Sequence, residues 1–467
     1  MDTARTPTPI PDAPHALPII GHALVLARDP LRFLRTLPVT EDIVRIRVGT
    51  RHAYLVCTPA LTREVLVNDA IFDKGGALVD RAREVLGNGV ATCPHAVHRR
   101  QRRLVQPAFH PSRLPGYGRT MARQITSVTD TWHSGRSIDV LHDMQTITSR
   151  VLAATLFTDG TFTHTRLDRI MGDLNTFQEG FFRRMLTPPA LDRLPVLGNR
   201  RHERAMARLR STLADVIADH RADGTDRGDV LSALLTARDP DNPAQGLGNA
   251  ELVDQMVTFC FGGTETTACL LAWALYLVAR HPHVERALHR EVDRVLRGRP
   301  AQPQDAPHLD LTSRVVQETL RTHPPVYFVT RETTRPTRLA GHPIPRGTTI
   351  VYSPYVIHHR PDVHPRPERF DPDRWLPPQP GHRAPRDTLV HFAAGARKCA
   401  GDDFALLEAT LALATITARW RLTPTPTTRV RPKPGLVLAP QGLRMTVTAR
   451  HTAGDDGDGD GHDDAGR

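Results

Sequence analysis

The sequence predicts a mainly α-helical protein carrying small β-sheets, on three observations. From about Gly118 to Arg299, apolar residues recur at helical spacing with few interruptions. Val44 to Val56 alternates apolar and polar side chains (Val44, Ile46, Val48) as strands do, and so does the stretch that ends near Arg450. Between Arg299 and Pro380 the pattern breaks into short strand-like runs and Pro-rich turns. The chain has 467 residues, about three times a typical domain length. No internal repeat or linker divides it, so one domain is expected over residues 1–451, followed by a tail at 452–467.

Each element has its own reason. Residues 1–30 are Pro-rich and extended, without the apolar core of a signal peptide. The helical region breaks at Pro188–Pro189, at Pro195 and between Asp239 and Gly248. One long apolar helix is expected from Leu252 to Arg280, where His281-Pro282 stops it. A last helix is expected from Asp402 to Arg419. The tail from Thr452 to Arg467 holds six aspartates among glycines and is expected to be disordered. Asp456, Asp458, Asp460 and Gly461 imitate the start of a calcium loop, but its twelfth position is Arg467 where a bidentate Glu is required.

Composition excludes several classes. Apolar residues make up 39% and charged residues 24%, as in soluble globular proteins. Apolar stretches are interrupted before the ~18 residues that cross a bilayer, so a cytoplasmic protein without a membrane contact is expected. The net charge of +11 raises nucleic acid as a partner. The basic residues are scattered, however, with one dense cluster at Arg99, Arg100, Arg102 and Arg103, which fits an acidic protein partner better. The five cysteines are widely spaced without a CxxC pair, which argues against a disulfide framework or a zinc knuckle.

Three segments carry chemistry. In Phe392-Ala-Ala-Gly-Ala-Arg-Lys-Cys399-Ala-Gly401 a cysteine stands just before a helix. Gly395 and Gly401 permit a tight turn, and the helix N-terminus with Arg397 and Lys398 favours the thiolate. Such a thiolate serves as a nucleophile, for which His391 is the nearest base in sequence, or as a metal ligand. Second, the long helix carries Gly262-Gly263-Thr264-Glu265-Thr266-Thr267 at its centre. Interior glycines cost roughly 1 kcal/mol each and a buried acid costs more, so something presses against this helix or passes a proton through it. Third, Glu318 and Arg321 stand at i, i+3, with Pro367-Glu-Arg369-Phe370 downstream as a source of a further arginine.

Taken in this order, the segments resemble those of the cytochrome P450 monooxygenases, from about Leu17-Pro18-Ile-Ile-Gly21 to Met445. The resemblance implies that fold, with haem b between a long distal helix and a proximal cysteine loop. It implies Cys399 as the thiolate ligand of the iron. His98, Arg102, Arg331 and Arg397 are implied as haem propionate contacts, and Glu265 with Thr266 as the acid–alcohol pair that relays protons during dioxygen activation. Glu318, Arg321 and Arg369 match a structural triad. Three departures stand out: Ala393 in a turn where the family carries Gly, Ser, Asn or His, Gly262 in place of alanine, and Glu265 in place of aspartate. Alanine is small enough for the turn to survive, and glycine would widen the space above the haem.

The resemblance is to the soluble bacterial branch and further implies electrons from a ferredoxin and its reductase; no G-x-G-x-x-G fingerprint precedes a helix, so a reductase fused to this chain is not expected. Arg99, Arg100 and Arg103 are the expected docking face. Phe259, Val326 to Val329, Phe177, Phe181 and Phe182 are candidate walls of an apolar substrate pocket. Phe181 to Met185, Tyr352 to Tyr355 and His98 to Phe109 are similar to sesquiterpene-oxidising members, so oxidation of a terpene in secondary metabolism is expected. Fatty acids and polyketides or macrolides are alternative substrates. A peroxide-driven oxidation fits less well, because Glu265 and Thr266 supply a relay for dioxygen. A non-catalytic haem protein is the alternative of another class; a zinc hydrolase lacks its H-E-x-x-H at His283 to His289.

Overall fold

The computed structural model describes residues 9–37, 40–157, 164–186, 197–377 and 388–450. It is helix-rich, and its helices start where the sequence supplies caps. Asp139 accepts a hydrogen bond from the His142 amide to open Val140–Leu156. The long helix runs Asn249–Arg280, three residues earlier than its apolar pattern suggests. Glu251 explains the difference: its carboxylate accepts from the Gly248 amide at 2.9 Å and caps the first turn. His281 closes the other end by bonding the Leu277 carbonyl at 2.7 Å. The last helix is Asp402–Arg419, as its pattern predicts.

Val140–Leu156 and the long helix form the centre of the main core, with Leu114–Thr129 and Asp402–Arg419 packed around them. Their approach is close because Gly263 faces Leu152: a Cβ at 263 would lie 2.8 Å from a Leu152 methyl. Asp310–Thr322 also packs on the long helix.

The strand-like stretch near the N-terminus is a hairpin, Ile43–Val48 with Arg51–Val56. It opens a five-stranded sheet that continues through Thr349–Tyr352, Val329–Thr333 and Phe72–Asp73. The C-terminal alternation forms Trp420–Pro424 and Arg444–Ala449, joined by Ser137–Asp139. That last strand interrupts a region read from sequence as helical. It is three residues long, too short for alternation to show. The acidic tail lies outside the described residues. No helix among the described residues is long and apolar enough to cross a membrane.

Candidate active site

A cavity of about 360 Å³ lies between the cysteine loop and the long helix. The loop owes its shape to two left-handed residues. Gly395 has φ +68°, and a Cβ there would sit 3.0 Å from the Leu66 carbonyl oxygen. Ala393 adopts φ +59° without being a glycine. The Cys399 amide donates to the Phe392 carbonyl at 2.9 Å and closes the loop. The thiol lies deep in the molecule but is open toward the cavity rather than packed.

The charge pattern expected beside the thiol is corrected by the structure. Arg397 turns away, pairing through Nε with Asp69 at 3.1 Å and through Nη2 with Asp73 at 2.8 Å. Lys398 pairs with Asp402. Burial therefore dominates and raises the Cys399 pKa above its ordinary value, against the Gly401 amide and the charges of Arg102 and Lys398. The chain alone favours the thiol; a bound metal cation would reverse this.

A cluster of basic groups edges the cavity. His98 is buried and held neutral, its pKa lowered to about 3 by burial and then by Arg397. Arg102 donates to the Lys398 carbonyl. Arg331 is fully buried and is not itself a lining residue; among the described residues none of its three guanidinium nitrogens has a hydrogen-bond partner, although the Tyr352 side chain lies beside it. It neighbours Tyr352, Arg397 and Lys74, all of which line the cavity. Lys74 was not anticipated. Burial, then Arg331 and Arg397, push its pKa down. Its sequence signal was available: it is one of three lysines in an Arg-rich chain, placed just before Gly75-Gly76.

On the opposite wall, Gly262 has nothing among the described residues within 4 Å of where a Cβ would stand, so the helix leaves a gap there. Thr266 lines the cavity and donates from Oγ1 to the Gly262 carbonyl at 2.7 Å. Glu265 is buried but does not line the cavity; the Gln145 amide reaches both of its carboxylate oxygens at 3.0 Å. Phe259, Val326 and Val329 line the cavity as expected, joined by Phe109, Leu86 and Val90. Phe177 lies outside that wall and packs on Phe261 at 5.8 Å between centroids. Phe181 and Phe182 lie outside the residues whose side chains are described.

A planar dianionic porphyrin fits these residues. A cavity-facing thiol, an opposing glycine gap and an unpaired buried guanidinium among four further basic groups are what such a group needs. Behind the cysteine loop, Glu318 and Arg321 form a fully buried bidentate pair at 2.8 and 2.9 Å. The third arginine is Arg374, not Arg369. Arg374 Nε lies 3.6 Å from Glu318 and is nearly buried, whereas the Arg369 side chain is 54% exposed and faces Asp371. The expected docking trio is also altered. Arg100 pairs with Asp239 and Glu251, Arg103 with Asp239 and Asp241, and Arg99 is exposed.

The family model for Cytochrome P450 matches residues 11–447. Cyclooctatin synthase of Streptomyces melanosporofaciens is 45% identical over 94% of this chain and 95% of its own length. Pentalenene oxygenase of Streptomyces avermitilis is 43% identical over 94% and 97%. Cyclooctat-9-en-7-ol 5-monooxygenase of Streptomyces melanosporofaciens is 42% identical over 89% and 90%.

Proposed function

The chain belongs to the cytochrome P450 family and is a monooxygenase, and from that premise we propose that it oxidises a terpene hydrocarbon or terpene alcohol in secondary metabolism. The observation that carries this is the pairing of an apolar cavity wall with relatives named for pentalenene and cyclooctat-9-en-7-ol. An apolar, few-handled cavity selects by shape and leaves a fatty acid's carboxylate without a dedicated partner on the Phe259–Val326 side.

Members of the family bind haem b through a cysteine thiolate, and that group supplies the activation of dioxygen and the insertion of one oxygen atom. Cys399 is the residue that would hold it, deprotonated on binding. Arg331, His98, Arg102 and Lys74 would hold its carboxylates, with Arg397 fixed among them by Asp69 and Asp73. The neutral His98 would donate an N–H rather than a charge. Thr266 keeps a hydroxyl at the cavity wall for proton transfer. Glu265 sits one residue before it, on the side of Gln145, and is the acid of that proton relay. The apolar wall excludes water around the substrate.

Electrons come from a ferredoxin and its reductase, in the cytoplasm, with the catalytic domain spanning residues 1–451. Because Arg100 and Arg103 are engaged in ion pairs, Arg99 is the member of the trio that would meet such a partner. Charge reversal at Arg99 should slow reduction and weaken its salt dependence; reversal that leaves both unchanged rejects this docking face.

The test is spectroscopic. The reduced protein exposed to carbon monoxide should show the long-wavelength Soret band of thiolate-ligated haem, and Cys399→Ser should lose it. Ferric protein titrated with pentalenene or cyclooctat-9-en-7-ol should change spin state. Titration with both that moves nothing, while a fatty acid does, replaces the terpene reading with the fatty-acid one.

A further inference from the structure

Residues 87–91 form part of the cavity wall through Val90 and Ala91, and two consecutive side chains of the long helix hold them there. The Asn88 amide donates to Asp254 Oδ2 at 2.8 Å, and the Val90 amide donates to Gln255 Oε1 at 3.0 Å. The fit leaves no slack. Gly87 sits at φ +62°, and a Cβ on it would stand 2.1 Å from Asp254 Oδ1. A Cβ on Gly89 would stand 2.2 Å from the hydroxyl of Thr258, itself a cavity residue.

The two anchors differ in kind. Gln255 is fully buried, and its amide nitrogen donates onward to Gln101 at 3.1 Å. Asp254 is instead only partly buried, and its partner is the more exposed Arg210 of the helix Leu197–Asp223. Arg210 Nη2 lies 2.6 Å from Asp254 Oδ1, with the arginine side chain 38% exposed and the aspartate 13%. Arg210 also reaches the Val85 carbonyl at the end of the helix Ala77–Leu86. Asp254 thus joins three elements: the long helix, the wall segment and the helix that carries Arg210.

We propose that Asp254, held by Arg210, is the latch that closes the 87–91 wall over the substrate cavity, and that the wall opens at its Asn88 end while Gln255 keeps the Val90 end in place. The latch then sets how fast a bulky substrate enters and leaves. This rests on the reading of the cavity as the haem and substrate chamber, and the control below tests that reading separately. An ion pair with this exposure is worth up to about 1 kcal/mol, or about fivefold in an opening equilibrium.

The experiment uses the haem-loaded full chain, with Arg210→Gln, Asp254→Asn and the double variant. Imidazole and clotrimazole are the probes, since both ligate ferric haem and differ in bulk. If imidazole produces no Soret shift in the wild type, the chamber reading itself fails. Given that shift, the expected result is association and dissociation of clotrimazole about fivefold faster in each single variant, with imidazole rates unchanged. Hydrogen exchange at the Asn88 amide should rise while Val90 stays protected. Arg210→Gln should add nothing in the Asp254→Asn background. Unchanged Asn88 exchange, equal acceleration of both probes, or full additivity would each overturn the latch. Should Asp254→Asn fail to fold, Arg210→Gln alone decides by the exchange and size criteria.

Discussion

Arg331 and Arg397 belong to one cluster, and the structure predicts opposite consequences for losing them. Arg331 is fully buried, and its three guanidinium nitrogens have no hydrogen-bond partner among the described residues. In the haem-free chain its charge is a cost, on the order of several kcal/mol for a desolvated ion. Methionine has similar length and no charge, so Arg331→Met should stabilise the haem-free protein. With haem bound, the same substitution removes a charge-assisted hydrogen bond worth about 1.5–3 kcal/mol. Haem loss should accelerate by roughly 10- to 150-fold, because each 1.4 kcal/mol is tenfold. Arg397 is already satisfied by Asp69, Asp73 and the Cys93 carbonyl at 2.8 Å. Arg397→Met leaves two carboxylates without their counter-charge and should cost about 3–5 kcal/mol of folding stability. The assay is haem transfer to an excess of apo-globin, run beside urea unfolding of haem-free protein. An Arg331→Met protein that keeps its haem at the wild-type rate and unfolds at lower urea would show that Arg331 serves the fold and refute the argument.

Three further outcomes follow from the same geometry. Arg374→Ala removes a nearly buried cation beside Glu318 and should cost about 1–3 kcal/mol, whereas Arg369→Ala should change urea stability by less than about 0.5 kcal/mol; the reverse order would restore Arg369 to the triad. Ala393 pays a left-handed penalty of roughly 1–2 kcal/mol, more than the roughly 0.5–1 kcal/mol of extra chain entropy of glycine. Ala393→Gly should therefore raise the melting temperature, and a lower one would mean that its methyl packing outweighs the strain. Finally, burial lowers the pKa of His323 and His364 to about 3, and that of buried His358 well below its usual value. These groups stay neutral when folded and take up protons when unfolded below about pH 6.5. Their contribution should be flat above that pH and fall toward pH 3, by about 2.7 kcal/mol per pH unit from His323 and His364 alone. Denaturant midpoints measured across pH 3–8 check it, and a midpoint that holds steady from pH 6 to 4 would contradict the assignment.

What the sequence made legible, and what it hid, divides along a physical line. Local patterns survived: the helix Asp402–Arg419, the hairpin over residues 43–56 and the glycine gap at 262 all depend on neighbours in the chain. Features that depend on which way a side chain turns did not. Arg369 and Arg374 stand in similar settings, each two residues after a proline and followed by an aromatic, and only the folded turn decides which one reaches Glu318. Arg397 is two residues from Cys399 in sequence yet spends its charge on Asp69 and Asp73, more than 300 residues away along the chain. Burial then moves the thiol's pKa up rather than down. Arg100 and Arg103 read as a free basic patch until Asp239, Asp241 and Glu251 are folded against them. For Arg100, Arg103 and Arg397 the fold pairs the cation with an acid far along the chain, whereas Arg369 turns to Asp371 two residues on and leaves Glu318 to Arg374. Arg331 is the exception that carries the most functional weight: among the described residues no acid is bonded to it, Asp69 and Asp73 acting on it only at a distance, and a buried cation without a bonded counter-charge is what a site for an anionic group leaves behind.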